Sequence, residues 1–257
     1  MKHFVLALVA AATLCTPAVA QNRVKNLSTN SSTMDVEQLL NTENSVQVTR
    51  YFFAGYNTLC LPMSMSADQL AVAAKDLKVE RLVGMKQEAG TLNLYFMDCT
   101  SEGIEAGVPY LVYSPTEQNL HARNTESLGI STELKTVRLN DNTGNVVSFG
   151  SSWDMIQKAG RYGIPAQQNV YPLESVLIRT EADKAFLPTR CGFTWEQQAA
   201  GCSELVIRHI SELSEATGIK LVEAVSSNDN DVYNIGGQRV GQNYRGIIVV
   251  NGKKVKN

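Results

Sequence analysis

The chain has 257 residues, and its 23 lysines and arginines nearly balance its 25 aspartates and glutamates, giving a formal net charge of −2. This balance argues against nucleic-acid binding driven by bulk positive charge, which normally requires a strong basic excess. Hydrophobic residues make up 44% of the chain and charged residues 19%, which is typical of a globular protein rather than a disordered or fibrous one.

Residues 1–20 have the pattern of a secretory signal peptide. Met1–His3 is a short positive start, Phe4–Cys15 is an apolar run, and Ala18–Ala20 supplies the small residues of a cleavage site. Pro17 favours an extended conformation before that site. We therefore expect residues 1–20 to be removed and the mature protein to be exported to the periplasm, the outer-membrane surface or the extracellular space.

Two other interpretations of this segment stay open. The apolar run could be a buried N-terminal helix, although it is short and polar Gln21 follows the cleavage site. Cys15 could instead be lipidated, although that processing requires a small residue before the cysteine and Leu14 stands there. No later stretch reaches the roughly 18 apolar residues of a membrane-spanning helix, so we expect no transmembrane span.

Two helices are predicted near the start of the mature chain. Residues 21–45 read as a polar leader with a short helix over Thr33–Leu40. A stronger helix begins at Ser66, because Ser66 and Gln69 have the spacing of a capping box. The apolar residues that follow at helical spacing are Leu70, Ala73, Ala74 and Leu77.

Short runs of β-forming residues dominate residues 46–223. Val79–Lys86 and Thr91–Asp98 are separated by a glycine-containing turn and predict a hairpin, with Leu92, Leu94 and Phe96 on one face. Further strand-like runs are Val46–Val48, Tyr51–Phe53, Thr58–Leu61, Tyr110–Tyr113, Thr136–Leu139, Val146–Phe149, Ser175–Arg179, Glu204–His209 and Ile219–Val222. We predict a mainly β fold with a β-sandwich or jelly-roll-like body, which could divide into two sub-modules.

The C-terminal residues have a different composition from the body. Residues 224–230 are polar and predict a linker, and residues 231–257 predict a basic tail of β-hairpins. Asn251-Gly252 lies between strand-like runs and is a strong hairpin signal, because both residues tolerate positive φ. So short a tail cannot bury enough apolar surface to be stable alone. We expect it to dock on the body, pair with a partner's sheet edge, or be recognised by export machinery.

Several segments resemble modules in exported proteins of Bacteroides-type bacteria. Tyr56–Pro62 (YNTLCLP) is similar to a W/Y-N-T-L-C-L-P-F strand of those modules, with Met63 where Phe is commoner, and Gly103–Val112 contains their G-x-P-Y-L pattern. Gly160–Gly163 and Ala185–Phe193 resemble later pieces of the same module. The tail is similar to the last two hairpins of the type nine secretion sorting domain, although it is shorter than a full domain. The resemblance implies an exported, β-rich, adhesin-like protein and transfers no catalytic residue.

The mature chain has four cysteines, an even number that permits two disulfides in an exported protein. We favour Cys60–Cys99 and Cys191–Cys202, each stabilising the fold by roughly 2–4 kcal/mol. Buried free thiols are an equally open alternative, because a free cysteine behaves as a small hydrophobic residue. No C-x-x-C pattern occurs, which argues against a zinc knuckle or a thioredoxin-like centre.

Residues that could support catalysis are few. His121 and His209 are the histidines of the mature chain, and neither stands in a motif that pairs it with a cysteine nucleophile. The sequence contains no G-x-S-x-G, Walker or G-x-G-x-x-G motif. Asp229 and Asp231 lack the turn glycine and distal glutamate of an EF-hand loop. The carboxylates weighed as a glycosidase pair, without matched spacing, are Glu102, Glu105, Glu181, Asp183 and Glu196.

Four aromatic residues, Phe193, Trp195, Trp153 and Tyr162, could form a carbohydrate-stacking platform, although such residues usually fill the core of a small β-sandwich. We predict no catalytic, cofactor or metal site. The predicted function is an exported, non-catalytic, adhesin-like binding module whose partner is a glycan or a host or cell-surface protein. Two alternatives stay open: a structural accessory that acts through its tail and, less favoured, a carbohydrate-active enzyme.

Overall fold

The computed structural model describes residues 24–40, 46–123, 129–157, 159–165, 177–181 and 185–211, and the backbone of five later strands between residues 220 and 256. These residues form a mainly β fold, which confirms the predicted class. The helical segments are α1 (Ala67–Ala73) and two 3₁₀ helices, Val36–Leu40 and Thr100–Glu102. The strands are β1 (Lys25–Ser28), β2 (Val46–Phe52), β3 (Gly55–Leu59), β4 (Lys78–Glu88), β5 (Thr91–Asp98), β6 (Tyr110–Ser114), β7 (Gln118–Arg123), β8 (Val137–Asn140), β9 (Val146–Gly150), β10 (Ile156–Gln157), β11 (Arg161–Gly163), β12 (Ile178–Arg179), β13 (Ala185–Phe186), β14 (Gly192–Gln197), β15 (Glu204–Ile210), β16 (Lys220–Leu221), β17 (Val232–Asn234), β18 (Arg239–Val240), β19 (Ile247–Val250) and β20 (Lys253–Lys256).

A six-stranded sheet, called here the central sheet, lies in the middle of the body. Five strands run in the order β15-β5-β4-β6-β3, and β16 pairs with β4 beside them. β4 and β5 form the predicted hairpin, which turns at Ala89 (φ 49°) and Gly90 (φ 86°), as a type I′ turn requires. Leu92, Leu94 and Phe96 share one face and are fully buried, which confirms the predicted alternation.

The two faces of the central sheet contribute to two different cores. Because side chains alternate along a strand, Val112 of β6 packs into one core and its neighbour Leu111 into the other. The first core lies against the three-stranded sheet β1-β2-β7, and the second lies against the five-stranded sheet β12-β11-β14-β9-β8. The body is therefore sandwich-like, with β-sheets covering both faces of the central one.

Helix α1 helps to close the first core. It begins as predicted at Ser66, whose hydroxyl accepts a hydrogen bond from the backbone N–H of Gln69, while the Gln69 side chain accepts one from the Ser66 N–H at 2.8 Å. This reciprocal pair is the capping box that the sequence predicts. Leu70 is buried in the first core, so the cap fixes the helix where its apolar side meets the sheets.

Aromatic packing joins the two layers of the second core. The rings of Phe149 on β9 and Phe193 on β14 stack with centroids 4.3 Å apart, and Phe96 of the central sheet meets Phe149 edge-on at 5.8 Å. All three side chains are fully buried. Offset-stacked and edge-to-face pairs of this kind add about 0.5–1.5 kcal/mol each beyond the area they bury.

Residues 25–40, which lie within the predicted polar leader (21–45), pack against the body. β1 pairs in parallel with β2, and the 3₁₀ helix lies inside the predicted Thr33–Leu40 segment. The segment has few apolar residues, and most of them turn inward, whereas Leu40 is exposed. The buried members of this segment are Leu27, Met34, Val36 and Leu39.

The tail forms a sheet of its own from the predicted hairpins. β17 pairs with β18, β19 pairs with β20, and β17 also pairs with β19, giving the order β18-β17-β19-β20. The predicted signal peptide (1–20) and linker (224–230) lie outside the described residues. Within the described part of the chain, no helix is long and apolar enough to cross a membrane.

Candidate functional site

A cleft of about 760 Å³, called here the arginine cleft, opens where the sheets of the body meet. One wall comes from the β2–β3 region between residues 50 and 58. The other wall comes from segments of residues 163–165, 178–181 and 185–191, which belong to or flank β11, β12 and β13. This volume lies within the range of small-molecule sites in proteins. A second, shallower hollow of about 670 Å³ lies beside α1 and β7.

The turn between β2 and β3 is held by one asparagine. The Asn57 side chain accepts a hydrogen bond from the Phe53 N–H at 3.1 Å and donates to the carbonyls of Phe53 and Gly55 at 2.8 and 2.9 Å. Gly55 has a φ of 97°, which glycine adopts without strain. Because the turn is fixed at three points, Phe53 and Tyr56 are held in the wall of the arginine cleft.

A glycine pair shapes the opposite wall. A Cβ at Gly163 or at Gly192 would lie 2.6 or 2.8 Å from the Phe186 ring, so the ring fits only because both positions lack a side chain. The ring also lies 5.0 Å from the guanidinium carbon of Arg161. Arg161 in turn donates to the carbonyls of Gly150 and Gly192 at 2.6 and 3.3 Å. Phe186 is therefore an aromatic part of the cleft wall that packs against two glycines and Arg161.

Three arginines line the cleft, and sequence reasoning missed all of them as site residues. Arg50 is 4% exposed, Arg190 is partly buried and Arg179 is exposed. Burial, together with the positive charge of Arg190, lowers the pKa of Arg50 to about 9, so Arg50 keeps its charge at neutral pH. One acid, Glu181, is among the described lining residues and is exposed. The cleft therefore has an excess of positive charge.

The signal for Arg50 is present in the strand pattern. Along β2 the buried residues alternate as Val46, Val48, Arg50 and Phe52, so an arginine occupies a core-facing position of an otherwise apolar face. A charged residue is rarely buried unless it is paired. A break of this kind in an alternating strand could have identified the site from the sequence.

The cysteines do not form the two favoured disulfides, and all four are buried free thiols. Cys99 lies in the first core, whereas the other three lie in the second core, so the central sheet separates Cys60 from Cys99. The neighbour of Cys60 is instead Cys191, which lies within hydrogen-bonding reach of its sulfur. Burial, followed by contact with Cys191, raises the pKa of the Cys60 thiol.

His209 belongs to a contact cluster that bridges the edges of the central sheet. Its Nδ1 lies 2.6 Å from a carboxylate oxygen of Glu80, and its ring stacks on Tyr56 with centroids 4.7 Å apart. Adjacent strands are about 4.8 Å apart, so a flat five-strand path would separate β15 from β3 by about 19 Å. The sheet must therefore curl strongly for His209 and Tyr56 to meet. Burial, then the charge of Glu80, raises the pKa of Tyr56 to about 12.

His121 lies on β7, on the exposed face of the three-stranded sheet. Its Nδ1 is 3.3 Å from the Gln47 amide nitrogen and 3.2 Å from the Thr49 hydroxyl. The described hydrogen-bond and stacking partners of the two histidines do not include a cysteine. Among the described contacts, therefore, neither histidine pairs with a cysteine that could act as a nucleophile.

The carboxylates weighed as a glycosidase pair have different partners on the surface. Glu102 pairs with Arg81 at 2.6 Å, Glu105 with Lys135 at 3.1 Å and Glu196 with Arg138 at 2.9 Å. Glu181 lines the arginine cleft, and Asp183 lies outside the described residues. No two of the described ones share an ion-pair partner.

The four aromatic residues weighed as a platform do not share one surface. Phe193 is fully buried, whereas Trp195 and Tyr162 are partly buried neighbours with ring centroids 6.2 Å apart. Trp153 packs against both cores and donates its indole N–H to the Thr132 carbonyl at 2.7 Å. The core interpretation therefore accounts for these residues, and the aromatic residues of the cleft wall are different ones.

Among the described residues, no group of three or more histidine, cysteine, aspartate or glutamate side chains is placed to hold a metal ion. Comparison with protein-family models matches no family, and comparisons with curated proteins and with solved structures find no match. The function is therefore argued from the geometry of the chain itself.

Proposed function

We propose that this protein is an exported, non-catalytic binding module, adhesin-like in the general sense, and that its ligand occupies the arginine cleft. The observation that carries the proposal is the cleft itself, a concave site of about 760 Å³ between the β2–β3 region and the segments around β11, β12 and β13. A glycan, free or carried by a host or cell-surface protein, is the partner of matching size and polarity. The signal-like residues 1–20 support export to the periplasm, the cell surface or the medium.

The cleft combines the two features that ligand sites usually share. Phe53, Tyr56 and Phe186 supply flat apolar surface, and the arginines supply polar groups that can orient a ligand. The walls are held by hydrogen bonds between neighbouring sheets: Cys191 donates its N–H to the Thr58 hydroxyl at 2.8 Å, and that hydroxyl donates to the Cys191 carbonyl at 3.0 Å. A site built on strands in this way needs little rearrangement to bind.

A glycan and matrix-protein array tests the proposal with one cleft variant and one control. Ile178→Trp places a large side chain in the cleft wall, whereas Val72→Trp makes the same kind of change on α1, where Val72 is 90% exposed and outside the cleft. We expect the wild-type protein and Val72→Trp to bind the same array members and Ile178→Trp to lose them. A wild-type protein that binds nothing, or an Ile178→Trp variant that binds as well as wild type, would refute the proposal.

The tail sheet favours one alternative, a structural accessory. Within the described strands, β18 and β20 each pair with a single neighbour and lie at the two edges. A free edge can accept a strand from a partner or from export machinery. Deleting residues 231–257 distinguishes the two roles: a binding module keeps its array binding, whereas an accessory loses its assembly or its export while the body stays folded.

Export is tested separately by fractionation of the producing cell. We expect the mature protein outside the cytoplasm with Gln21 as its first residue, and N-terminal sequencing measures this directly. A chain that stays in the cytoplasm with residues 1–20 attached would contradict the proposal.

A further inference from the structure

Arg50 is a buried cation whose hydrogen-bond partners among the described residues are all neutral. One terminal nitrogen donates to the Tyr51 carbonyl and the other to the Thr58 carbonyl at 3.4 Å. Its Nε atom is buried and has no hydrogen-bond partner among the described residues. The guanidinium carbon also lies 5.4 Å from the centre of the Phe52 ring. An arginine offers five N–H donors, so this environment leaves donors of a desolvated charge unused.

The neighbouring charge is also positive. Burial and, after it, repulsion by Arg190 lower the pKa of Arg50, and no carboxylate among the described residues forms a salt bridge with either arginine. Arg190 is held in place by donating to the Thr29 carbonyl at 2.9 Å and to the Asn30 side chain at 3.1 Å. Two fixed guanidinium groups in one concave site, with no acid of the described residues paired to either of them, form a field that attracts an anion.

We infer that the arginine cleft binds an oxyanion group, a carboxylate, sulfate or phosphate, between Arg50 and Arg190. This inference rests on the proposed function and specifies the chemistry of the ligand. The planar guanidinium matches the paired oxygens of these groups, which can accept two parallel hydrogen bonds. An oxyanion would supply the opposite charge and the acceptors that the described surroundings of Arg50 lack.

The size of the cleft favours an oxyanion carried on a larger body over a free inorganic ion. A bare sulfate or phosphate fills only a small part of about 760 Å³. The rest of the wall includes Phe53, Ile164 and Leu187, which suit the apolar face of a sugar ring. An acidic monosaccharide unit therefore fits the wall better than a neutral sugar or an inorganic ion.

Calorimetric titration of the full chain with four probes separates these sources: glucuronate, neutral glucose, sodium sulfate and sodium phosphate, all at matched ionic strength. We expect glucuronate to bind at least 10-fold more tightly than glucose and more tightly than either inorganic anion. Binding by sulfate or phosphate but not by glucuronate would keep the oxyanion site and overturn the acidic-sugar assignment. If no anionic probe binds more tightly than glucose, the inference is wrong.

Arg50→Met tests the residue, and Arg81→Met is its matched control. Both changes remove one positive charge, but Arg81 lies in an exposed ion pair with Glu102 outside the cleft. We expect Arg50→Met to weaken glucuronate binding at least 30-fold and Arg81→Met to change it less than 2-fold. Equal affinity of Arg50→Met and wild type would overturn the inference.

Two measurements keep this test independent of folding and of the proposed function. Replacing a buried, poorly paired cation by an apolar side chain is often neutral or stabilising, so we expect Arg50→Met to fold with unchanged circular dichroism. If it does not fold, the wild-type thermal midpoint decides the question, because glucuronate should raise it and glucose should not. A neutral array ligand that is lost in Ile178→Trp but retained in Arg50→Met would leave the proposed function intact and refute the anion site.

Discussion

Oxidative refolding of this protein should join Cys60 to Cys191. The two thiols are neighbours across the second core, and both are almost fully buried, at 0% and 1% exposure. The thiolate is the reactive form, so burial and a raised pKa should make Cys60 slow to react in the folded state. The bond should therefore form while the chain folds, in a glutathione redox buffer.

The reaction is an exchange with glutathione disulfide. One cysteine thiolate attacks a sulfur of glutathione disulfide and releases one glutathione thiolate, leaving a mixed disulfide on the protein. The second cysteine thiolate then attacks the protein sulfur and releases the second glutathione. Two protein thiols are oxidised, and one glutathione disulfide is reduced to two thiols.

The size of the effect follows from the loop that the bond would close. Cys60 and Cys191 enclose about 130 residues, for which the chain-entropy relation gives a stabilisation of about 5 kcal/mol before native-state strain is subtracted. In a domain of about 200 residues, each kcal/mol moves the thermal midpoint by about 2–4 °C, so an unstrained bond would raise it by about 10–20 °C.

Peptide mapping by mass spectrometry measures the pairing, and thermal unfolding with and without reductant measures the effect. Cys99→Ser with Cys202→Ser is the control that should keep the bond and the shift, whereas Cys60→Ser should lose both. A Cys60–Cys99 peptide, or refolded protein with four free thiols and an unchanged midpoint, would refute the reasoning from the two separate cores.

The remaining predictions concern stability. A Cβ at Gly107 (φ 74°) would lie 2.1 Å from the Glu133 carbonyl oxygen, whereas one at Gly201 (φ 75°) would meet nothing within 4 Å. We expect Gly201→Ala to lower the free energy of unfolding in urea by about 1–2 kcal/mol, because alanine is strained in this left-handed backbone conformation. Gly107→Ala should lower it clearly more, because the new Cβ would also clash with the Glu133 carbonyl. Equal losses in the two variants would contradict the steric argument. Burial alone would raise the pKa of Asp141, but hydrogen bonds from the side chains and backbone of Asn145 and Thr143 outweigh it and lower the pKa. The folded-state pKa is then below the unfolded value, so the stabilisation is present above about pH 4 and is lost as pH falls through the folded-state pKa. Urea unfolding at pH 7 and pH 3 should show a larger loss for the wild type than for Asp141→Asn, and an equal loss would show that the carboxylate contributes nothing.

Local sequence signals predicted the elements that depend on local chemistry. The capping box at Ser66 and Gln69 predicted where α1 begins, and the alternation of Leu92, Leu94 and Phe96 predicted the buried face of β5. Each of these signals acts through neighbours in the sequence or through one buried face. β1 was missed because Leu27 is its sole buried residue, so its polar composition hides the strand.

Long-range pairings could not be predicted in the same way. β15 lies parallel to β5, with Glu204 opposite Thr91 and Ile210 opposite Met97, although more than one hundred residues separate them. Nothing local to either strand specifies that partner. The same limitation explains the cysteines, because pairing Cys60 with Cys191 requires knowing which face of the central sheet each residue occupies.

Arg50 occupies a position on β2 where an apolar residue would be expected to stabilise the fold better. A leucine or methionine at position 50 would continue the apolar face of Val46, Val48 and Phe52 and would spare the cost of burying a charge. The described structure gives Arg50 two neutral carbonyls and a positive neighbour, which is a poor arrangement for stability alone. Because Arg50 interrupts the apolar face of its own strand and lines a cleft, ligand binding explains its presence better than a contribution to fold stability does.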